Sequence, residues 1–389
     1  MTRSAKSVAL AAATVLLASL VVACSDSGSD SSDTWRIGLE APLSGDLSVL
    51  GDGMLKGAQM AANEINESGG LLDREVEIIP IDDAGDAKTG VDAANTAIDE
   101  GLDGVVGPYN SGVGIETLPL YVDDGLVPIR LTSDNATDGL GFTLQPMTNQ
   151  IAPVAAEAMT DWLDAKTVAI AYDDTEAYTK TIAKSVRSDL EKAGAEVVAY
   201  EAIEPGADDY SSEVEKLAGT GADVVYLAVY FPEGGLMAKA MLDQGVSADC
   251  LADYGSYDTG FIETAGKKAA ENCPVIGVPA PSDFPGSASL VDSYQSEFDS
   301  EPGTWSPYTY DSVNFLAEGV TAAGSFDAAA VKAELDKVDG WKGWTGSVTI
   351  DAETGNRDPA TVVVVETDAE GAFTVDQEWS KAVGAPYTK

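Results

Sequence analysis

Two short apolar runs, Gly104-Val105-Val106-Gly107 and Val127-Pro128-Ile129-Arg130-Leu131, flank the turn Pro108-Tyr109-Asn110-Ser111-Gly112 and a segment with periodic apolar residues through Leu118, Leu120 and Tyr121. The pattern reads as strand, turn, helix, strand. In a parallel sheet, ligands sit beyond the carboxyl ends of strands, so Asn110-Ser111-Gly112 and Thr132-Ser133-Asp134, each just after a strand, open onto one crevice. Ser111 also falls at a helix N-terminus, where free N–H groups and the helix dipole favour an anion such as a carboxylate. The same residue types suit an ordinary turn and helix cap, and that alternative stays open at this point.

The flanking sequence repeats the pattern. Arg36 to Ala41 reads as a strand, Gly45 to Gly53 as a loop, Met54 to Ile65 as a helix, Val76 to Ile81 as a strand and Thr89 to Glu100 as a helix, which makes βαβαβ. A second unit begins near Asn149. Its helices are read at Ile151 to Leu163, Tyr178 to Ala193 and Ser211 to Leu217, and its strands at Thr167 to Tyr172, Glu196 to Tyr200 and Asp223 to Tyr230. The 389 residues exceed one typical core, so two α/β lobes are expected, with the cleft between them as the ligand site. Towards the end come a helix-forming segment from Ser312 to Ala323 and strands at Gly346 to Ile350 and Thr361 to Val365. The aromatics of Trp341-Lys342-Gly343-Trp344 are read as lobe packing.

Sixty-five acidic against 22 basic residues give a formal charge of -43, which argues against nucleic acid and anionic lipid as partners. The chain has no histidine, which excludes Ser-His-Asp catalysis and His-ligated metals, and its three cysteines are too few for a thiolate cluster. There is no G-x-S-x-G and no P-loop, and Gly112-Val113-Gly114 lacks the third glycine of a dinucleotide fingerprint. No enzyme activity, cofactor or metal is therefore expected.

The N-terminus reads as a targeting signal. Arg3 and Lys6 precede an apolar segment from Val8 to Val22, short for a transmembrane helix and suited to a signal peptide. Val21-Val22-Ala23-Cys24 and the Ser/Asp/Gly run that follows resemble a bacterial lipoprotein signal, with Cys24 lipidated and the run serving as a leash. An ordinary secretory signal with an incidental Cys24 is the alternative.

Ile37 to Ser44 followed by Gly45, Gly51-Asp52, Gly57-Ala58, Ile65-Asn66, Gly69-Gly70 and Asp82-Asp83 resembles the opening of the branched-chain amino-acid binding proteins of ABC importers. Gly125, Tyr178, Tyr226 through Tyr230-Phe231-Pro232-Glu233, and Asp253-Tyr254-Gly255 extend the likeness over roughly residues 35 to 375. The resemblance implies a type I periplasmic-binding-protein fold: two doubly wound parallel-sheet lobes joined by a three-strand hinge and closing on a ligand. It implies a signal peptide at 1–23, a linker at 24–34, a first lobe at 35–148 plus 277–356 and a second at 149–276 plus 357–389. The hinge crossings are expected near Gln145 to Asn149, Gly277 to Pro281 and Gly355 to Thr361. The implied function is that of a monomeric, lipid-anchored, extracytoplasmic component serving ABC permease and ATPase subunits. A ligand-sensing receptor, or an importer component for an amide or aromatic acid, would use the same fold.

By the same resemblance, the ligand carboxylate lies on Ser111, with Asn110 and Gly112 beside it, and on Thr132, Ser133 and Asp134. An ammonium group is met by that second loop and by the acidic position that falls at Tyr254, beside Asp253, while Tyr178 and Tyr230 face the ligand from the second lobe. The chain departs from relatives in four ways. Asp134 stands where a hydroxyl is usual, Tyr254 replaces the acid, Leu50 replaces an aromatic, and Gly85 and Asn110 occupy the positions of a first-lobe disulfide. Arg130 at a strand end either binds a second ligand carboxylate or forms a buried ion pair near the hinge. Cys250 and Cys273, at the starts of successive strands, are expected to pair because the chain is exported; two buried thiols are the alternative.

Overall fold

A computed structural model of the chain describes residues 34–384 and 387; Cys24 and its leash lie outside the described residues. The chain first lays down β1 (Thr34–Ala41), β2 (Glu75–Asp82), β3 (Gly104–Val106), β4 (Pro128–Arg130) and β5 (Phe142–Thr143). Next come β6 (Thr167–Asp173), β7 (Glu196–Ile203), β8 (Val224–Ala228), β9 (Asp249–Ala252) and β10 (Val275–Gly277). Last are β11 (Asp339–Gly343), β12 (Gly346–Asp351), β13 (Asn356–Arg357), β14 (Val363–Thr367) and β15 (Phe373–Val375).

These strands make two sheets, ordered β11-β12-β13-β5-β4-β3-β1-β2 and β15-β14-β10-β9-β8-β6-β7. In both, five successive strands are parallel and the order reverses beside the first of them. Parallel strands carry helices on their faces, and β3, β4, β8 and β10 are accordingly buried along their whole length. The apolar runs of β3, β4 and β8 make these three readable in the sequence. The chain passes from one sheet to the other after β5, after β10 and after β13, so each lobe is built from separated stretches of sequence.

The first helix differs from its expected extent. It spans Ser48–Glu67, so Gly51 and Gly53, read as part of a loop, lie within it. Their reason is space. A Cβ on Gly51 would stand 2.2 Å from the Pro42 carbonyl oxygen, because the loop after β1 lies directly on this helix face. Leu50, at the position where relatives carry an aromatic, is buried in the first-lobe core. The late helix also starts earlier, at Ser306, with Pro307 in its first turn, where a missing N–H costs nothing. The helix expected at 151–163 is Thr148–Glu157, continued by a π-helical turn over Ala158–Trp162.

Arg130 does not reach the cleft. It is fully buried, and its guanidinium donates to Asn356 Oδ1 on β13 and to the Thr354 carbonyl (3.3 Å), with Asp138 at 4.0 Å. Burial holds its pKa down to about 10. The arrangement is structural, with uncharged Asn356 and Thr354 as the near partners and the partly exposed Asp138 at the limit of an ion pair, and it joins β4 to the edge where the chain leaves the first sheet. Cys250 on β9 and Cys273 just before β10 are bonded, with Cα atoms 4.7 Å apart. Gly85 and Asn110 face each other: a Cβ on Gly85 would lie 3.6 Å from Asn110 Oδ1. Trp341 and Trp344 pack on Phe315 and Tyr310, at 5.5 and 5.6 Å between ring centroids.

The close approach at Gly51 has a measurable outcome. Alanine is the better helix former by about 1 kcal/mol, yet the collision with Pro42 is backbone and cannot rotate away, so overpacking of roughly 1–3 kcal/mol prevails. Gly51→Ala should lower the denaturation midpoint in urea; an unchanged or higher midpoint would contradict the packing described.

Candidate functional site

Every group of interest follows the carboxyl end of a parallel strand. Asn110 and Ser111 come after β3, Thr132 to Asp134 after β4, Tyr178 after β6, Tyr230 after β8 and Asp253 to Gly255 after β9. Between the lobes these loops enclose a narrow cavity. Tyr109, Ser111, Leu131 and Ser133 line it from the first lobe, and Tyr178, Tyr230, Tyr254 and Gly255 from the second. As the lobes stand, it has room for roughly a single water molecule, so a larger ligand enters only as they part.

Ser111 is the first residue of the helix Ser111–Asp123, behind Asn110 as N-cap, and is almost fully buried. Its hydroxyl oxygen accepts the backbone N–H groups of Ser133 (3.3 Å) and Asp134 (3.2 Å), which ties the loop after β3 to the loop after β4. With its lone pairs used in this way, the hydroxyl proton remains to be donated. A donor at a helix N-terminus, whose first N–H groups have no intrahelical acceptor, suits an anion. The bare capping alternative does not describe this residue: its oxygen serves the neighbouring loop rather than its own helix.

The other residues of that loop are turned differently. Thr132 pairs with Thr137 inside the first lobe (2.8 Å). Ser133 lines the cavity, and its carbonyl is held by the N–H (2.7 Å) and hydroxyl (2.8 Å) of Thr148. Asp134 caps a short 3-10 turn through Ala136 N–H (2.9 Å) and accepts the Thr181 hydroxyl of the second lobe (2.7 Å). Both its oxygens are thereby engaged. Asp253 is fully buried behind the tyrosines, accepting from the hydroxyls of Tyr178 (2.9 Å) and Tyr226 and from Gly255 N–H (3.1 Å). Burial raises its carboxyl above the ordinary value, and these three donors oppose the shift.

The walls are aromatic. Tyr109 stands 6.5 Å from Tyr230 and 5.4 Å from Trp305, and Tyr254 stands 5.3 Å from Trp305 and 6.5 Å from Tyr178, so rings from both lobes interleave. Tyr254 also donates to Gln145 Oε1 at 3.4 Å. Asn110 Oδ1, Gln145 Nε2 and Trp305 Nε1 are buried with no hydrogen-bond partner among the described residues. Such orphans are uncommon in native interiors and call for a partner. Tyr109, Leu131, Gly255 and Trp305 are not among the ligand contacts expected from sequence. Tyr109 and Leu131 flank residues that are, whereas nothing local marks Trp305, which arrives from almost 200 residues further along.

One contact opposes closure. Glu176, just before the second-lobe helix Ala177–Ala193, lies against the first lobe, its carboxylate 3.0 Å from where a Cβ on Gly112 would be. Burial, then the charge of Asp173, push its pKa up to about 7. Asp83, fully buried after β2, is likewise raised to about 7 by burial, with Asp82, Glu176 and Asp86 adding repulsion.

Comparison with known proteins places this geometry. The family model described as periplasmic binding protein matches residues 34–372. The Leu/Ile/Val-binding protein BraC3 of Rhizobium johnstonii is 34% identical over 306 residues, 77% of this chain and 82% of that protein. Among solved structures, the leucine binding protein LivK of Thermotoga maritima superposes with a TM-score of 0.81 at 22% identity, covering 88% of this chain and 97% of its own. The branched-chain amino acid transporter substrate-binding protein LivJ of Streptococcus pneumoniae, in complex with isoleucine, gives 0.79 at 25% identity, covering 88% and 99%. With two mixed sheets whose five parallel strands follow the same order, and a cavity between them, the chain belongs to the periplasmic binding protein family.

Proposed function

We propose that this chain is the extracytoplasmic substrate-binding component of an ABC importer, and that it captures a small carboxylate, an amino acid of the branched-chain class, by closing its two lobes. The observation that carries the reading is Ser111: a buried hydroxyl with its oxygen already occupied, at a helix N-terminus, on the wall of a cavity shared by both lobes. Ser133, Tyr178, Tyr230 and Tyr254 contact the ligand. Asn110, Gly112, Thr132, Asp134 and Asp253 shape the loops around it. The hinge consists of the three passages between the sheets, with the first lobe at 35–148 plus 277–356 and the second at 149–276 plus 357–389. The chain acts as a monomer, without catalysis, anchored through lipid on Cys24 and delivering to a permease with its ATPase. The ring-lined walls favour, as a second reading, an aromatic acid.

Calorimetric titration with leucine, isoleucine, valine and aromatic acids tests the ligand class, and absence of heat from all of them would end the proposal. Ser111→Ala removes a hydrogen bond to a charged acceptor and should weaken the binding ligand about 10- to 150-fold, corresponding to roughly 1.5–3 kcal/mol. Because two loop N–H groups also lose their acceptor, this variant should be less stable by about 1–2 kcal/mol. Unchanged affinity would leave Ser111 a loop tie and nothing more.

Cys24→Ala should release the protein into the medium or leave it unprocessed; a mutant that stays in the membrane fraction with the same mature mass refutes lipidation.

Closure should depend on pH. A carboxyl buried by the contact between the lobes, as Glu176 is against Gly112, binds its proton more tightly in the closed form, so that form is favoured at low pH and loses its advantage as pH rises from the ordinary carboxylate range through about 7. Affinity should therefore be several-fold higher at pH 5.5 than at pH 8, and Glu176→Gln should flatten the profile. A profile equally steep in Glu176→Gln would assign the effect elsewhere.

A further inference from the structure

No residue lining the cavity carries a carboxylate, Asp134 and Asp253 being turned to protein donors away from it, and this leaves open how a zwitterion's ammonium group would be recognised. Tyr178 offers an answer. A phenol has one proton, and that of Tyr178 is donated to Asp253 Oδ2 at 2.9 Å. The same carboxylate accepts the Tyr226 hydroxyl and Gly255 N–H, so three donors converge on one fully buried anion. None of the three has a reason to turn away. Tyr178 lines the cavity, and with its proton given to Asp253 its oxygen keeps lone pairs only.

We propose that Asp253 is a positioning residue that sets ligand preference: by holding the Tyr178 proton it makes the Tyr178 oxygen an obligate acceptor, which selects a ligand bearing an ammonium or N–H donor over its amine-free counterpart. The inference rests on the proposed function and deepens it. Ser111 and Tyr178 are then opposite poles on opposite lobes, one obliged to donate because its oxygen is occupied, the other obliged to accept because its proton is. A carboxylate and an ammonium on one small molecule satisfy both. A carboxylate without an amine satisfies only the first.

The test is the ratio of affinities for leucine and its deaminated analogue 4-methylpentanoate, measured by calorimetry on the full chain. The wild type should prefer leucine. Tyr178→Phe removes the acceptor and should cut the ratio about tenfold or more, mainly through leucine. Asp253→Ala frees the Tyr178 proton and should do the same. Asp253→Asn should restore the ratio, because Gly255 N–H fixes the amide oxygen on the Tyr178 side and leaves the amide nitrogen to meet Tyr226. A purely structural role for Asp253 would lower both affinities together and leave the ratio alone, which would overturn the proposal. So would a wild type that binds 4-methylpentanoate more tightly than leucine, an outcome that leaves carboxylate capture intact. Failure to bind either ligand counts against the proposed function and this inference together. Should Asp253→Ala not fold, Tyr178→Phe carries the test, since it leaves Asp253 with two donors.

Discussion

Parallel pairing is the constraint from which the rest of this protein follows. Strands that run the same way must be joined by crossovers over the sheet faces, so their carboxyl ends gather at one edge with their loops. Both sheets here reverse their strand order beside their first strand, and both present their loops to the same cavity. A site assembled this way draws on β3, β4, β6, β8 and β9 at once, although those strands are spread over more than 140 residues of sequence.

Within that frame, hydrogen-bond direction decides what each polar group can do. Ser111, Asp134 and Asp253 are all buried and all bonded, but they differ in what remains after the protein has taken its share. Ser111 keeps a proton. Asp134 turns one oxygen to a turn N–H and the other to a hydroxyl of the opposite lobe. Asp253 gathers donors and passes its influence through Tyr178. Charge alone does not order these residues; the count of unused donors and acceptors does.

The legible parts of the sequence were those where one local rule dominates. β3 and β4 are short apolar runs bounded by glycine and proline, and Ser111 stands where a strand gives way to a helix. The start of the first helix was hidden because Gly51 and Gly53 resemble turn residues, whereas the structure uses their smallness to admit Pro42 and Gly303. Trp305 was hidden for a different reason: its importance comes from rings at Tyr109, Tyr254 and Tyr257, none near it in sequence. The directions of Asp134 and Asp253 belong to the same class, being set by Thr181 and Tyr226, which only tertiary structure brings close.

Trp305 gives the molecule an optical gauge. Its indole belongs to the first lobe, yet Tyr254 and Tyr257 of the second stand 5.3 and 5.9 Å from it, near enough for excitation to pass from phenol to indole. Parting the lobes exchanges those rings for solvent. With the chain's five other tryptophans replaced, the emission of this indole distinguishes lobes together from lobes apart, without any attached dye.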